Sequence, residues 1–368
     1  MAVPSGGASV FSALDHEMMA RALRLAGRGA YTTRPNPMVG CVIARGAEVV
    51  GEGWHERKGG PHAEIVALQA AGARAKGATA YVTLEPCAHT GSTGPCADAL
   101  VAAGVARVVA AMRDPFPHVD GNGFARLRDA GIEVAVGLME AQARALNRGF
   151  LSRIERGRPW VRVKLAASLD GRTALASGES KWITGEQARA DVQHWRARSG
   201  AILTGADTVL ADDPALTARV QAEVVPPLRV VVDSRLRSLA RARVRDGAAP
   251  TLYLHAPDVV PPAGLQAEFA AVPLRDGHLD LEVALRLLGE RGINEVQVEA
   301  GPVLCGALLR AGLVDELLLY QAPVLLGDRA RPLLGGLGIT ELAQRLRMEV
   351  VETRRIGEDL RLLLRPAG

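Results

Sequence analysis

EPCAHTGSTGPC, residues 85–96, sets two cysteines, Cys87 and Cys96, eight residues apart, with His89 and two glycines between them. A disulfide hairpin, a metal site and a plain turn are the three readings open at this point. The stretch follows an apolar strand pattern, ATAYVTL, and runs into a helical one, CADALVAAG, so it is a strand-to-helix loop. Only Cys41, Cys87, Cys96 and Cys305 occur in 368 residues, too few and too scattered for a disulfide framework. The N-terminal MAVPSGGASVF lacks the basic start and apolar stretch of a secretory signal, which points to the cytoplasm. In that reducing compartment the close pair reads as a metal site.

Upstream, His62-Ala63-Glu64 opens a predicted helix. A histidine, two cysteines and a nearby carboxylate are what catalytic zinc requires: three ligands, one open position, and a base to move protons. Base deaminases carry H-x-E followed by P-C-x-x-C, with the Glu outside the ligand set. Here the cysteine gap is eight residues instead of two. Either an inserted loop returns Cys96 to the helix start, where the dipole favours a thiolate, or Cys96 is structural; strand, loop and helix in that order favour the first. With His62 completing three ligands, His89 as a fourth would close the water position, so it is not expected to bind metal.

Working outward, 368 residues favour two domains. Residues 12–156 alternate strands and helices in the manner of a three-layer α/β domain. ERGRP breaks the periodicity, and residues 158–368 restart it. The last strand candidates, ELLLYQAPV, MEVVETRRI and DLRLLLR, have no helices between them, so an antiparallel edge is expected. This half has no G-x-G-x-x-G fingerprint. EAGPVLCGALL, residues 299–309, offers a strand, a Gly-Pro turn and a helix start that could present backbone N–H groups to a phosphate. SLDGRTALASGESKWITG and TGADTVLADDPALTAR cluster hydroxyl and charged residues at predicted strand ends, where open α/β sheets bind ligands. Cys41 and Cys305 read as buried neutral thiols.

These motifs carry a family resemblance. HAE at 62–64 with PCAHTGSTGPC at 86–96, preceded by RPNPMVGCVI and GEGWHERKGGPHAE, resembles the bifunctional deaminase/reductase family of riboflavin biosynthesis. The resemblance covers nearly the whole chain, and the eight-residue cysteine gap is that family's spacing. It implies a cytidine-deaminase-like domain with zinc on His62, Cys87 and Cys96 and with Glu64 as proton shuttle. A dihydrofolate-reductase-like domain using NADPH follows. It also implies that Asn36, His55 and His89 lie near the deaminase substrate. Similar proteins commonly carry a basic residue where this loop has Ser92, which puts one phosphate contact in question.

In the second half the resemblance assigns Ala166, Trp182, Thr208, Asp212, Ser234 and the turn Gly301, Pro302, Val303, Leu304, Cys305, Gly306 and Ala307 to the nicotinamide cofactor. Ser180, Arg196, Leu216, Arg219 and Glu299 go to the substrate. Two arginines and a serine would suit its phosphate, and Lys164 and Asp170 are the charged candidates near hydride transfer.

Composition narrows the alternatives. A net charge of +4 without a Lys/Arg block, and only 4% aromatic residues, argue against a nucleic-acid deaminase. No apolar run approaches the length of a membrane span. A metal held purely for structure would call for four closed ligands, with His89 among them. The expectation is a small-molecule enzyme, without nucleic-acid or membrane partners, acting as a homo-oligomer.

Overall fold

The computed structural model describes residues 11–88, 94–116, 121–241 and 243–367. It divides into two compact units, Met1–Glu155 and Arg156–Gly368.

In the first unit, side-chain alternation along the strands builds three layers. The sheet runs Glu48–Trp54, Gly40–Arg45, Thr79–Val82, Arg107–Ala110, Glu133–Val136; the first three strands pair antiparallel and the last three parallel. Cys41, Ile43, Ala80, Val82, Val108 and Ala110 bury one face against the helices Ala63–Ala71, Cys96–Ala102 and Asn122–Asp129. Val42, Ala44, Tyr81 and Val109 bury the other against Ala13–Gly27, Glu140–Leu146 and Arg148–Arg156. Two glycines let the helix behind His62 lie close to its strand. A Cβ at Gly51 would stand 2.3 Å from the Ala67 carbonyl oxygen, and one at Gly53 would stand 2.6 Å from Val66 Cβ.

The second unit is a nine-stranded sheet ordered Glu268–Ala271, Thr251–His255, Leu228–Val232, Ala201–Gly205, Glu295–Val298, Trp160–Ser168, Glu316–Ala322, Asp359–Pro366, Met348–Ile356. Seven strands are parallel, and the C-terminal pair closes the edge antiparallel, as the missing helices require. Glu316–Ala322 stays parallel because the helix Pro302–Arg310 precedes it as a crossover. Elements beyond the sequence expectation include the helix Ala206–Asp212 inside TGADTVLADD and the edge strand Glu268–Ala271. Among the described residues no helix is long and apolar enough to cross a membrane.

Candidate active sites

Three elements of the first unit converge on one point. His62 is the N-cap of Ala63–Ala71, Cys96 is the first residue of Cys96–Ala102, and Cys87 lies in the loop after Thr79–Val82. Their ligand atoms all fall within 4.8 Å of one another. His62 Nδ1 stands 3.3 Å from Cys96 Sγ and 3.6 Å from Cys87 Sγ. The Cys96 amide donates to Cys87 Sγ at 3.4 Å, and the Ala97 amide donates to the Cys87 carbonyl at 3.1 Å, which ties the loop to the helix start.

A tetrahedral zinc with Zn–N and Zn–S bonds of about 2.0 and 2.3 Å separates its N and S ligands by about 3.6 Å. The donor set and its spacing therefore fit zinc. A hydrogen bond from Cys96, together with His62, pulls the Cys87 pKa down against the burial that would raise it. The Cys87 hydrogen bond raises the His62 pKa in turn. Glu64, on the first helical turn behind these ligands, is 3% exposed, and burial pushes its carboxyl up to about 7. A carboxyl poised there can both take and return a proton near neutrality.

Asn36 and His55 flank the ligands. Asn36 Nδ2 donates to His55 Nε2 at 3.1 Å, while His55 Nδ1 donates to the Pro61 carbonyl at 3.0 Å. Burial lowers the His55 pKa, so the ring is neutral, and it meets His62 edge to face at 5.5 Å. His89 and Ser92 lie outside the described residues. One residue that sequence reasoning missed is Asn147, which clamps the Asn36 segment. Its Oδ1 accepts from the Met38 amide and its Nδ2 donates to the Met38 carbonyl, both at 2.8 Å. Nothing in the helical pattern ARALNRGF signals such a long-range bond.

In the second unit the candidates gather at the carboxyl ends of the parallel strands, where open sheets bind nucleotides. Ser234 follows Leu228–Val232, Glu299 follows Glu295–Val298, and Gly301 caps the helix Pro302–Arg310. A Cβ on Gly301 would stand 4.0 Å from Thr208 Oγ1, and one on Gly205 would stand 3.4 Å from Leu304. Bare backbone thus faces the helix N-terminus, a cradle that fits a dinucleotide phosphate. Lys164 and Ala166 lie on Trp160–Ser168, and burial lowers the Lys164 pKa. Asp212 and Trp182 are exposed, and the Arg189 guanidinium covers the Trp182 ring at 4.6 Å.

Several side chains are placed differently from expectation. Arg196 is not free for phosphate, because it grips both Glu299 oxygens at 2.6 and 2.7 Å and also donates to the Thr217 carbonyl. Burial would raise the Glu299 carboxyl, but Arg196, with help from Lys164, outweighs it and holds the group at about 2. Asp170 accepts from Ser168 Oγ and from the amides of Leu326 and Gly327, and is held at about 2 by these bonds, Ser168 first. These bonds clamp the loop after Trp160–Ser168 to the Leu326–Gly327 backbone. Leu216 and Cys305 point into the core, and Gly306 is packed under Gly335, so these three can offer a ligand only backbone. Ser180 is partly exposed and Arg219 is exposed.

Fold and sites together define a zinc-binding deaminase unit joined to a nucleotide-dependent reductase unit. Residues 12–112 match the cytidine and deoxycytidylate deaminase zinc-binding region, and residues 159–362 match the RibD C-terminal domain. Over nearly its whole length the chain is 52% identical to riboflavin biosynthesis protein RibD of Escherichia coli strain K12, covering 95% of this chain and 99% of the relative. The Haemophilus influenzae RibD is 48% identical, with 97% and 99% covered. Among solved structures, form 1 of Acinetobacter baumannii RibD superposes with a TM-score of 0.90 at 45% identity, covering 96% of this chain and 99% of that one. A Thermotoga maritima diaminohydroxyphosphoribosylaminopyrimidine deaminase/5-amino-6-(5-phosphoribosylamino)uracil reductase superposes at 0.85 with 33% identity and the same coverage. The chain belongs to the RibD family, the bifunctional deaminase and reductase of riboflavin biosynthesis, with Zn2+ and NADPH as its cofactors.

Proposed function

We propose that the first unit deaminates 2,5-diamino-6-(5-phosphoribosylamino)pyrimidin-4-one and that the second reduces the ribosyl group of the product to a ribityl chain. Support for this substrate comes from the Thermotoga relative, whose name states both reactions. The observation that carries the reading is the His62, Cys87 and Cys96 cluster with buried Glu64 beside it.

His62, Cys87 and Cys96 hold zinc, which when bound supplies the Lewis acidity that makes a water nucleophilic at neutral pH. Glu64 accepts a proton from the attacking water and delivers protons to the amine, so that one water enters and one ammonia leaves. Asn36 and neutral His55 orient the pyrimidine, joined by His89.

In the second unit Ala166, Trp182, Thr208, Asp212, Ser234 and the Gly301–Ala307 turn hold NADPH, which when bound supplies a hydride. Lys164 would deliver the proton that balances reduction at C1 of the sugar in its open imine form. Glu299, locked by Arg196, positions the sugar with Ser180 and the backbone at Leu216. Arg219, close enough to Arg196 and Arg243 for their charges to lower its pKa after burial has done so, is the guanidinium left for phosphate.

The enzyme works on this small molecule without nucleic acid or membrane, in the cytoplasm, where four free cysteines stay reduced. The outer strand Met348–Ile356, with Val350 62% exposed, supports a homo-oligomer.

Supplying the diaminopyrimidine ribosyl phosphate with NADPH and following ammonia and absorbance together tests the proposal. Ammonia release should precede NADPH oxidation one for one. NADPH oxidation without ammonia, or ammonia from free cytidine at a comparable rate, would overturn it.

A further inference from the structure

The opening residue of the EPC stretch has no part in the chemistry, yet it is the most heavily bonded carboxylate around the site. Glu85 is 4% exposed. One of its oxygens accepts from the Gly123 amide at 3.0 Å and the Phe124 amide at 3.4 Å. The other accepts from Gly121 at 3.1 Å and Asp114 at 3.3 Å. Gly123 and Phe124 are the second and third residues of the helix Asn122–Asp129, whose own N-cap, Gly121, has no side chain. An N-cap side chain normally serves these amides. Here a residue more than thirty positions earlier serves them instead, and its charge also suits the positive end of the helix.

A second contact holds the same junction. Gly123 sits so close to the metal-binding loop that a Cβ there would stand 1.9 Å from the Pro86 carbonyl oxygen. Pro86 is the residue between Glu85 and Cys87, so the chain entering Cys87 is fixed from both sides: by the Glu85 carboxylate bonded into the helix start, and by bare backbone packed on Pro86.

We propose that Glu85 and Gly123 form a positioning device that presets Cys87 for zinc. This rests on the reading of His62, Cys87 and Cys96 as the ligands. Removing groups that orient metal ligands commonly lowers metal affinity 10- to 100-fold. The reductase on the same chain provides an internal activity that neither residue touches.

The test compares wild type, Glu85→Gln and Gly123→Ala as full-length zinc-loaded protein, timing zinc release to an excess of chromogenic chelator. Glu85→Gln keeps the shape but sets an NH2 group against amide donors. Gly123→Ala changes no charge and pushes on Pro86 from the other side. Both should release zinc at least tenfold faster, with ammonia production restored by added zinc and NADPH oxidation on deaminated substrate unchanged. Wild-type release rates in either variant overturn the proposal, even if the melting temperature falls. A wild type that carries no stoichiometric zinc would instead bring down the ligand assignment itself.

Discussion

At the level of single residues, the division of labour between ligands and proton carrier makes sharp predictions. Glu64 is close to the ligand set but is not needed to complete it, so Glu64→Gln should leave zinc content at wild-type stoichiometry. Loss of acid–base catalysis typically lowers turnover 10²- to 10⁴-fold, and the ammonia assay should show a fall of about that size with NADPH oxidation intact. A structural metal would predict the opposite, with ammonia release insensitive to the substitution. In the second unit, Arg196 and Glu299 are 13% exposed each and joined through two bonds. Breaking a buried pair by removing one partner destabilises by about 3–5 kcal/mol. Glu299→Gln should therefore lower the melting temperature of the reductase unit and raise the substrate KM, while Arg196→Ala should do at least as much damage by stranding the carboxylate. The sequence shows both residues as polar groups at strand and helix ends, but not that they neutralise each other. Pairing across 103 positions depends on the packed sheet, so neither the sequence pattern nor the resemblance, which assigns Arg196 to the substrate, can show it.

Elements position these residues, and two of them can be perturbed away from the chemistry. The first helix begins with a capping box in which Ser12 and Asp15 bond reciprocally, and Asp15 also accepts from Tyr81 at 2.9 Å and Arg107 at 2.8 Å. Burial opposes ionisation of Asp15, but the Ser12, Tyr81 and Arg107 bonds prevail and hold it at about 2, below the unfolded value of about 3.9. The lowered pKa makes its contribution fully present above about pH 4 and lost as pH falls through about 2. Asp15→Asn should lower thermal stability at pH 7 and narrow its deficit against wild type as both are titrated to pH 2. The helix Pro302–Arg310 is held differently: a Cβ on Gly306 would stand 1.8 Å from the Gly335 carbonyl oxygen. Backbone opposes backbone there, so Gly306→Ala forces the helix N-terminus out of register at a cost of about 1–3 kcal/mol. Titration by NADPH fluorescence should show weaker binding, with ammonia release unchanged. Periodicity makes nearly all the long elements readable because each buries one stripe or alternate residues. The helix Ala206–Asp212 escapes because about two turns between Gly205 and the Asp213-Pro214 turn carry too little periodicity to register.

For the molecule as a whole, the candidate residues of the two sites fall in separate units of the chain. The metal cluster is legible in the amino-acid sequence because helix starts and a strand end fix its three ligands, whereas at the nucleotide site the residues alone show a Gly-Pro helix start and the resemblance supplies the rest. Its cradle is made of backbone and absent side chains, which leave little trace in residue chemistry. This difference predicts how the activities separate under metal removal. Thiolate and imidazole ligands compete with protons, so a chelator at mildly acidic pH, where protons contend with the metal for these ligands, should strip zinc fastest. Ammonia release should then vanish, while NADPH oxidation with pre-deaminated substrate stays at the wild-type rate. Adding back one equivalent of Zn2+ should restore ammonia release without altering the reductase. If stripping zinc slows both reactions equally on their own substrates, the sites are not energetically independent, and the metal must contribute to the stability of the reductase as well.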